Sequence, residues 1–267
     1  GEGKNMKIIV CMKQVPAGTK VDIDPETGAM KRLSSDTRTN PYDLFALECA
    51  LQLKEKLGGT VTALTMGPAQ AESMMRDAYT MGADDAVILS DRKFAGADVL
   101  STSYTLSQGV QLLGGADLII CGKQTTDGDT AQVGPALAEH LHIPHAAWVT
   151  EIMEADEKCI CVKQKLASVT QESRIPYPCL ITVDKDICVP RLPSYLLKKK
   201  TARKEVRMVG YSDLPDQDMS RYGLIGSPTT VERMFAPPEE KRQVYLEGNT
   251  AEKTERLFAV LTERKII

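Results

Sequence analysis

Two nucleotide signatures are missing from this chain. It has no GxGxxG and no GxxxxGK[ST], which excludes the dinucleotide fingerprint and the P-loop. It also has no CxxC pair. Cys11, Cys49, Cys121, Cys159, Cys161, Cys179 and Cys188 are odd in number and lie mostly in apolar, strand-like runs, the usage of reduced, mainly buried thiols in a cytoplasmic compartment. Cys159 and Cys161 share one strand face with no histidine near them, so they make a poor metal pair. Histidine is scarce: His140, His142 and His145 cluster where a helix is expected to end, without a carboxylate for acid–base work, and read as surface residues favoured by the helix dipole. No apolar run approaches the ~20 residues that span a bilayer, and the start lacks a basic segment followed by an apolar core. The expectation is a soluble protein that is not secreted. A formal charge of -3 gives no electrostatic case for nucleic acid or an anionic membrane surface.

What the chain does have is organised around one stretch. The run Ala116 to Cys121, short, rich in branched residues and entered from Gly114-Gly115, suits a buried central strand of a parallel sheet. Gly122, Lys123, Gln124, Thr125, Thr126, Asp127, Gly128, Asp129 and Thr130 follow it. Ala131 to His142 then carries Val133, Leu137, Ala138 and Leu141 at helical spacing, with Asp129 or Thr130 placed as cap. A strand, a loop and a helix start present free backbone N–H groups at the positive end of a dipole, which suits phosphate. Gly122 and Gly128 let a ligand approach the backbone.

Elsewhere the chain alternates strand and helix. Lys7 to Lys13 reads as the first strand, and Val21 to Arg32 as a small exposed hairpin able to cover a site. Asn40-Pro41 opens a helix as N-cap and first helical residue, with Leu44, Leu47, Ala50 and Leu51 on its apolar face and Gly58-Gly59 as its stop. Thr60 to Met66 is a strand, Ala69 to Met81 a helix, Asp85 to Leu89 a strand and Ala97 to Leu113 a helix. Strands over Ala146 to Thr150, Lys158 to Leu166 and Cys179 to Asp184, one of them antiparallel, complete the sheet. At 267 residues the chain suits a large domain, or a domain with an appendage. The fold class is α/β, an open, mostly parallel sheet with helices on both faces and right-handed crossovers, spanning 1–189. From Pro190 the chain is rich in proline and lysine with little apolar periodicity. Residues 190–267 therefore read as an arm ordered by packing on something else, ending in a helix over Ala251 to Lys265 with Thr250 as its cap. Ligands of such sheets sit at the carboxyl ends of the strands, near the switch in strand order. Loops beginning at Cys11, Asn40, Met66 and Gly122 compete for the site, and the last is the longest and richest in Gly, Asp and Thr.

The series Ile9-Val10-Cys11-Met12-Lys13, Asn40-Pro41-Tyr42-Asp43, Met66-Gly67-Pro68-Ala69-Gln70, Ala78 to Asp84 and Gly122-Lys123-Gln124 resembles the electron-transfer flavoprotein beta subunit in order and spacing across most of the chain. The resemblance implies an adenine-nucleotide-binding, Rossmann-like fold and a heterodimer with an alpha subunit. By matching position, Cys11, Asn40, Met66 and the loop Gly122, Lys123, Gln124, Thr125, Asp127, Gly128, Asp129, Thr130, Ala131, Gln132 and Val133 line its nucleotide site. Pro190 to Lys200 resembles the segment by which the family recognises dehydrogenases. The sequence Asp127 to Pro135 looks like the electron-bifurcating branch, in which this site holds FAD; the other branch holds AMP as a structural filler and tends to carry an acid where Gly128 stands. The bifurcating branch implies NADH as donor, ferredoxin or flavodoxin as one acceptor and, through the alpha-subunit FAD, an acyl-CoA dehydrogenase type flavoenzyme as the other. No catalytic side chain is implied, because the flavin carries the chemistry. Asp127 and Asp129 read as cap and as ribose or hydroxyl ligands. A related ATP-pyrophosphatase type of enzyme would need Ser-Gly-Gly-x-Asp-Ser after the first strand, where this chain has Gln14-Val15-Pro16-Ala17-Gly18.

Overall fold

A run of apolar residues with one charged end, Lys7–Cys11, forms β1, and every residue after Lys7 is buried. Its side chains alternate between the two faces of a sheet: Ile8 and Val10 join one core, Ile9 and Cys11 the other, as the twofold period of a strand requires. The computed structural model describes residues 5–17, 22–23, 30–31, 37–232 and 244–267. After β1 come the short strands β2 (Gln14–Pro16), β3 (Asp22–Ile23), β4 (Met30–Lys31) and β5 (Thr37–Thr39), then α1 (Pro41–Leu57), β6 (Thr60–Met66), α2 (Glu72–Met81), β7 (Asp85–Leu89) and α3 (Val99–Leu112). They are followed by β8 (Leu118–Gly122), α4 (Val133–His140), β9 (His145–Ala155), β10 (Cys159–Lys165), β11 (Thr170–Pro176) and β12 (Cys179–Val183). The chain ends with α5 (Tyr195–Thr201), β13 (Arg207–Val209) and α6 (Thr250–Glu263).

The main sheet runs β11-β10-β9-β12-β8-β1-β6-β7-β13. Neighbours from β9 to β13 pair in parallel, and β9-β10-β11 is the antiparallel excursion. One face is covered by α1 and α2, through Leu47, Ala50, Leu51, Met74, Met75 and Tyr79. The other is covered by α3 and α4, through Tyr104, Leu106, Val110, Leu137 and Ala138. Each of the leucine, methionine and valine side chains, fully buried, contributes ~1.5–3 kcal/mol, and these two layers hold the strand ends in place. β2 pairs with β5, and β3 with β4; the turn of the expected hairpin, and with it any covering role, lies outside the described residues.

Residues past Pro190 do more than the sequence suggests. β13 adds to the sheet beside β7, and Val206, Val209, Tyr211, Leu214 and Tyr222 are buried. The chain divides into one unit of residues 1–22 and 30–232 and another of 23–29 and 233–267, so the boundary expected after residue 189 falls inside the sheet unit. In the second unit α6 is closed by a reciprocal cap in which Asn249 Oδ1 accepts from Glu252 N (3.1 Å) and Glu252 Oε2 accepts from Asn249 N (2.9 Å). The cap is Asn249, one residue before the expected Thr250: its side-chain oxygen reaches the third helical N–H, and Glu252 completes the box. Leu257 and Phe258 on this helix are exposed.

All seven cysteines are free, and all but Cys161 and Cys188 are buried. Among the described residues no helix is long and apolar enough to cross a membrane, and no group of three or more His, Cys, Asp or Glu is placed to hold a metal. His142 and His145 are exposed. His140 departs from the surface reading: it packs edge-on against the Tyr104 ring at 5.3 Å, and burial pushes its pKa below the ordinary value.

Candidate functional site

From β1 the chain steps outward to β6 and β7, then returns to β8 on the other flank of β1, with β12 and β9 beyond. The strand order therefore switches between β1 and β8. Cys11 and Cys121 are register partners there, and past them the two strand ends part into separate loops, which opens a crevice at the carboxyl edge. Cys11 closes β1, Met66 closes β6 and Gly122 closes β8. Every residue the sequence put forward lies at this edge.

The first turn of α1 fills the gap between the two loops. Asn40 occupies the N-cap position of α1 but makes no side-chain cap. Its amide turns across the crevice: Nδ2 donates to Gln124 O (2.9 Å), and Oδ1 accepts from Thr126 N (3.3 Å). Asp43 is buried, and its Oδ2 accepts the backbone N–H of Lys13 at 2.7 Å. Burial drives the Asp43 pKa up to about 7, against the pull of the Lys13 N–H, the Asn40 amide and the Gly122 N–H, all of which favour the carboxylate. Gly122 is required by this contact, since a β-carbon there would stand 2.3 Å from Asp43 Oδ1.

The loop itself is folded on its own polar groups. Thr125 O accepts from Asp129 N at 3.0 Å, the Gln124 amide donates to Asp129 Oδ1, and Gly128 N donates to Asp127 Oδ1 at 2.8 Å. Lys13 Nζ reaches both oxygens of Asp127, at 3.0 and 2.9 Å, closing a polar bridge between the loops after β1 and β8. Burial alone would raise the Asp127 pKa, but the Lys13 ammonium, the Thr125 hydroxyl and the Gly128 N–H outweigh it and hold the carboxyl below its ordinary range. At the base, Lys123 Nζ pairs with Asp184 at 3.0 Å and lies 4.6 Å from the centre of the Trp148 ring.

The helix start differs from the sequence reading. α4 begins at Val133, not Ala131, and its N-cap is Gln132, with no side chain bonded to the first turn. Asp129 and Ala131 have φ of 53° and 55°, left-handed conformations that break the helical run, and the Asp129 carboxylate is taken by Gln124. Neither Asp129 nor Thr130 caps the helix. The first turn of α4 therefore keeps donors at its positive end, as any uncapped helix does. Gly134 lets that turn lie against the sheet, since a β-carbon there would meet Thr182 Cγ2 at 2.4 Å. Thr126 to Thr130 are exposed around it.

Sequence reasoning missed Asp43, Lys13, Asp184 and Trp148 as residues of the crevice. Asp43 had a signal: it stands four residues before Leu47 and seven before Ala50, on the apolar face of α1. Lys13, Asp184 and Trp148 had none, because their roles depend on contacts between strands far apart in sequence. The charged groups of the crevice are engaged in holding loops, which suits binding and orienting a nucleotide rather than moving protons.

Comparison with known proteins identifies the family. Residues 27–214 match the electron transfer flavoprotein domain. The chain is similar to Protein FixA of Sinorhizobium fredii, 41% identical over 249 residues that cover 91% of this chain and 87% of that one. It is similar to the electron transfer flavoprotein subunit beta of Thermoanaerobacterium thermosaccharolyticum, 40% identical over 98% of this chain and 100% of that one. It is also similar to the acryloyl-CoA reductase electron transfer subunit gamma of Anaerotignum propionicum, 39% identical over the same shares. With the strand-order switch, the loop after Gly122 and these likenesses in agreement, the chain belongs to the electron transfer flavoprotein family, among its beta subunits and FixA proteins.

Proposed function

We propose that this chain binds FAD in the crevice between β1 and β8, as the beta subunit of a bifurcating electron transfer flavoprotein paired with an alpha subunit. The observation that carries the reading is the uncapped start of α4, set by Gly134 against the strand ends at the switch point. That start faces a loop whose tip residue, Gly128, has only Thr125 Oγ1 within 4 Å of where a β-carbon would stand. Backbone N–H groups at a helix start and open space beside them fit a diphosphate. The ADP end would be held by Thr130 to Val133, with Asp127, Asp129, Gln124 and Asn40 ordering the loop around it and Cys11 and Met66 at the strand ends.

Bound there, FAD would supply the redox chemistry between NADH as donor and two acceptors, ferredoxin or flavodoxin and the alpha-subunit FAD. An acyl-CoA dehydrogenase type flavoenzyme would be the final acceptor along the second route. The chain's own residues bind and orient. Lys13 and Asp127 tie the crevice mouth, and the exposed Val189, Leu192, Tyr195 and Leu196 form the docking segment for the dehydrogenase. The name of the Anaerotignum propionicum relative, an electron transfer subunit of a reductase acting on an acyl-CoA, supports this class of partner.

The alternative is the branch with structural AMP, a docking subunit with a single FAD in the complex. Cofactor analysis of the purified heterodimer separates them. Two FAD and no AMP, with reduction by NADH, is the expected result; AMP with one FAD and no reduction by NADH would overturn the proposal in favour of the alternative.

A further inference from the structure

The loops of the crevice converge on one buried carboxyl. We propose that Asp43 is a positioning residue for nucleotide binding: by taking the N–H of Lys13 and lying close against Gly122 it fixes the spacing of the loops after β1 and β8 that the nucleotide meets. This rests on the nucleotide-binding reading above.

The geometry is that of a clamp. β1 and β8 are paired only as far as Cys11 and Cys121, so beyond them the sheet no longer sets their separation. Asp43 sits at this point, bonded at 2.7 Å to Lys13 N on one side and facing the Gly122 N–H on the other. Asn40, on the same turn, reaches Gln124 and Thr126 further along the β8 loop. Asp43 and the N-cap Asn40 thus hold the two loops by their main chains. An ionised carboxylate accepts at every lone pair, whereas a protonated one must direct an O–H among these donors. The charged group facing it is the Lys13 ammonium from the β1 loop, itself paired with Asp127 from the β8 loop; the Cys121 thiol lies on the opposite face of the sheet, in the cluster with Cys11. With the Asp43 pKa near 7, acidification through that value loosens the clamp.

The test uses the purified complex containing the full chain, stripped of nucleotide and titrated with FAD and with ADP at pH 6 and pH 8, as wild type and as Asp43→Asn. Amide hydrogen exchange of residues 122–128 is followed in the nucleotide-free protein. Wild type is expected to bind about tenfold more weakly at pH 6 than at pH 8, the ratio set by one group ionising near 7. Asp43→Asn is expected to bind at least about tenfold more weakly at pH 8, with no dependence on pH, and to exchange faster at 122–128, because its NH2 faces donors. An Asn variant with wild-type affinity, pH slope and exchange overturns the inference. If that variant fails to fold, affinity and exchange of wild type that do not change between pH 6 and pH 8 overturn it equally. If wild type binds neither FAD nor ADP, the nucleotide reading falls, and exchange at 122–128 alone decides whether Asp43 positions the loop.

Discussion

Replacing Gly122 by alanine places one methyl group where the structure has no room. The added carbon would stand 2.3 Å from Asp43 Oδ1, 2.7 Å from Tyr42 Cβ and 2.8 Å from the Tyr42 carbonyl carbon. One of these atoms is backbone in the first turn of α1, and another belongs to a buried carboxyl already bonded to Lys13, so no flexible tip can swing aside. Forcing a methyl into packed space costs ~1–3 kcal/mol, and two immovable neighbours place this case near the top, about 2–3 kcal/mol. For a domain of this size each kcal/mol lowers the melting temperature by roughly 2–4 °C, so Gly122→Ala is expected to melt about 4–12 °C below wild type. Gly128→Ala is the control. Its new carbon meets only Thr125 Oγ1, at 3.3 Å, and is expected to cost no more than about 0.5 kcal/mol. Thermal and urea unfolding of the full chain, both variants beside wild type, measure the difference. Equal melting of Gly122→Ala and wild type, or a larger loss in Gly128→Ala, would refute the close approach of α1 to β8 on which the crevice depends.

Gly128→Glu is expected to keep the fold but lose bound FAD, measured as flavin per folded protein, since it sets a carboxylate beside the site for the diphosphate. Asp127→Ala and Thr130→Ala are expected to lower flavin occupancy while stopped-flow reduction by NADH per bound flavin stays near wild type; full occupancy with lost reduction would give the side chain a chemical role. Arg191→Met strands the buried Glu48 carboxylate, which Arg191 meets at 2.8 Å and 3.0 Å. Removing one partner of a buried pair costs ~3–5 kcal/mol, cut to about 2 by the partial exposure of Arg191. Burial alone would raise the Glu48 pKa, but the Arg191 bonds outweigh it and hold it below 4.5, so the stabilisation is full above that pH and lost as pH falls through the folded value; urea unfolding at pH 7 and pH 3 should show the gap to wild type narrowing. A chain ended at Glu232 is expected to keep a cooperative melt, whereas one ended at Val189 should not, because it lacks β13 and the buried Tyr211 and Tyr222.

β1 and α1 were legible because each announces itself locally: a charged end on an apolar run, and Asn40-Pro41 opening a pattern that Gly58 closes at φ 76°. β13 was not. Arg207-Met208-Val209 is too short to show a period, and what makes it a strand is the open edge of β7, more than a hundred residues earlier in the chain. The start of α4 was misplaced for a related reason. Nothing about alanine demands the left-handed backbone that Ala131 adopts, and the anchors of the loop, Gln124 and Thr125 on Asp129, are contacts that no local pattern announces. The carboxyl edge as the place of the candidate site was legible from the alternation of strands and helices, and its longest loop from its glycines and acids. Asp43 was read past because an acid in a first helical turn is ordinarily explained by the dipole, and its burial depends on Gly122 being across from it.

Arg191 grips α1 by three bonds to Glu48 and one to Glu55, while its neighbours Val189, Leu192, Tyr195 and Leu196 are exposed. The stem is fixed and the side chains it carries contribute nothing to the core. Under the docking role proposed for this segment, inheritance of the fold and choice of partner would be separate: the exposed side chains of Leu192, Tyr195 and Leu196 could be exchanged while Ser194 keeps its bond to Thr80 of α2. A chimaera that swaps only those side chains, stem retained, is the smallest change by which the proposed docking role would hand this chain another chain's clientele.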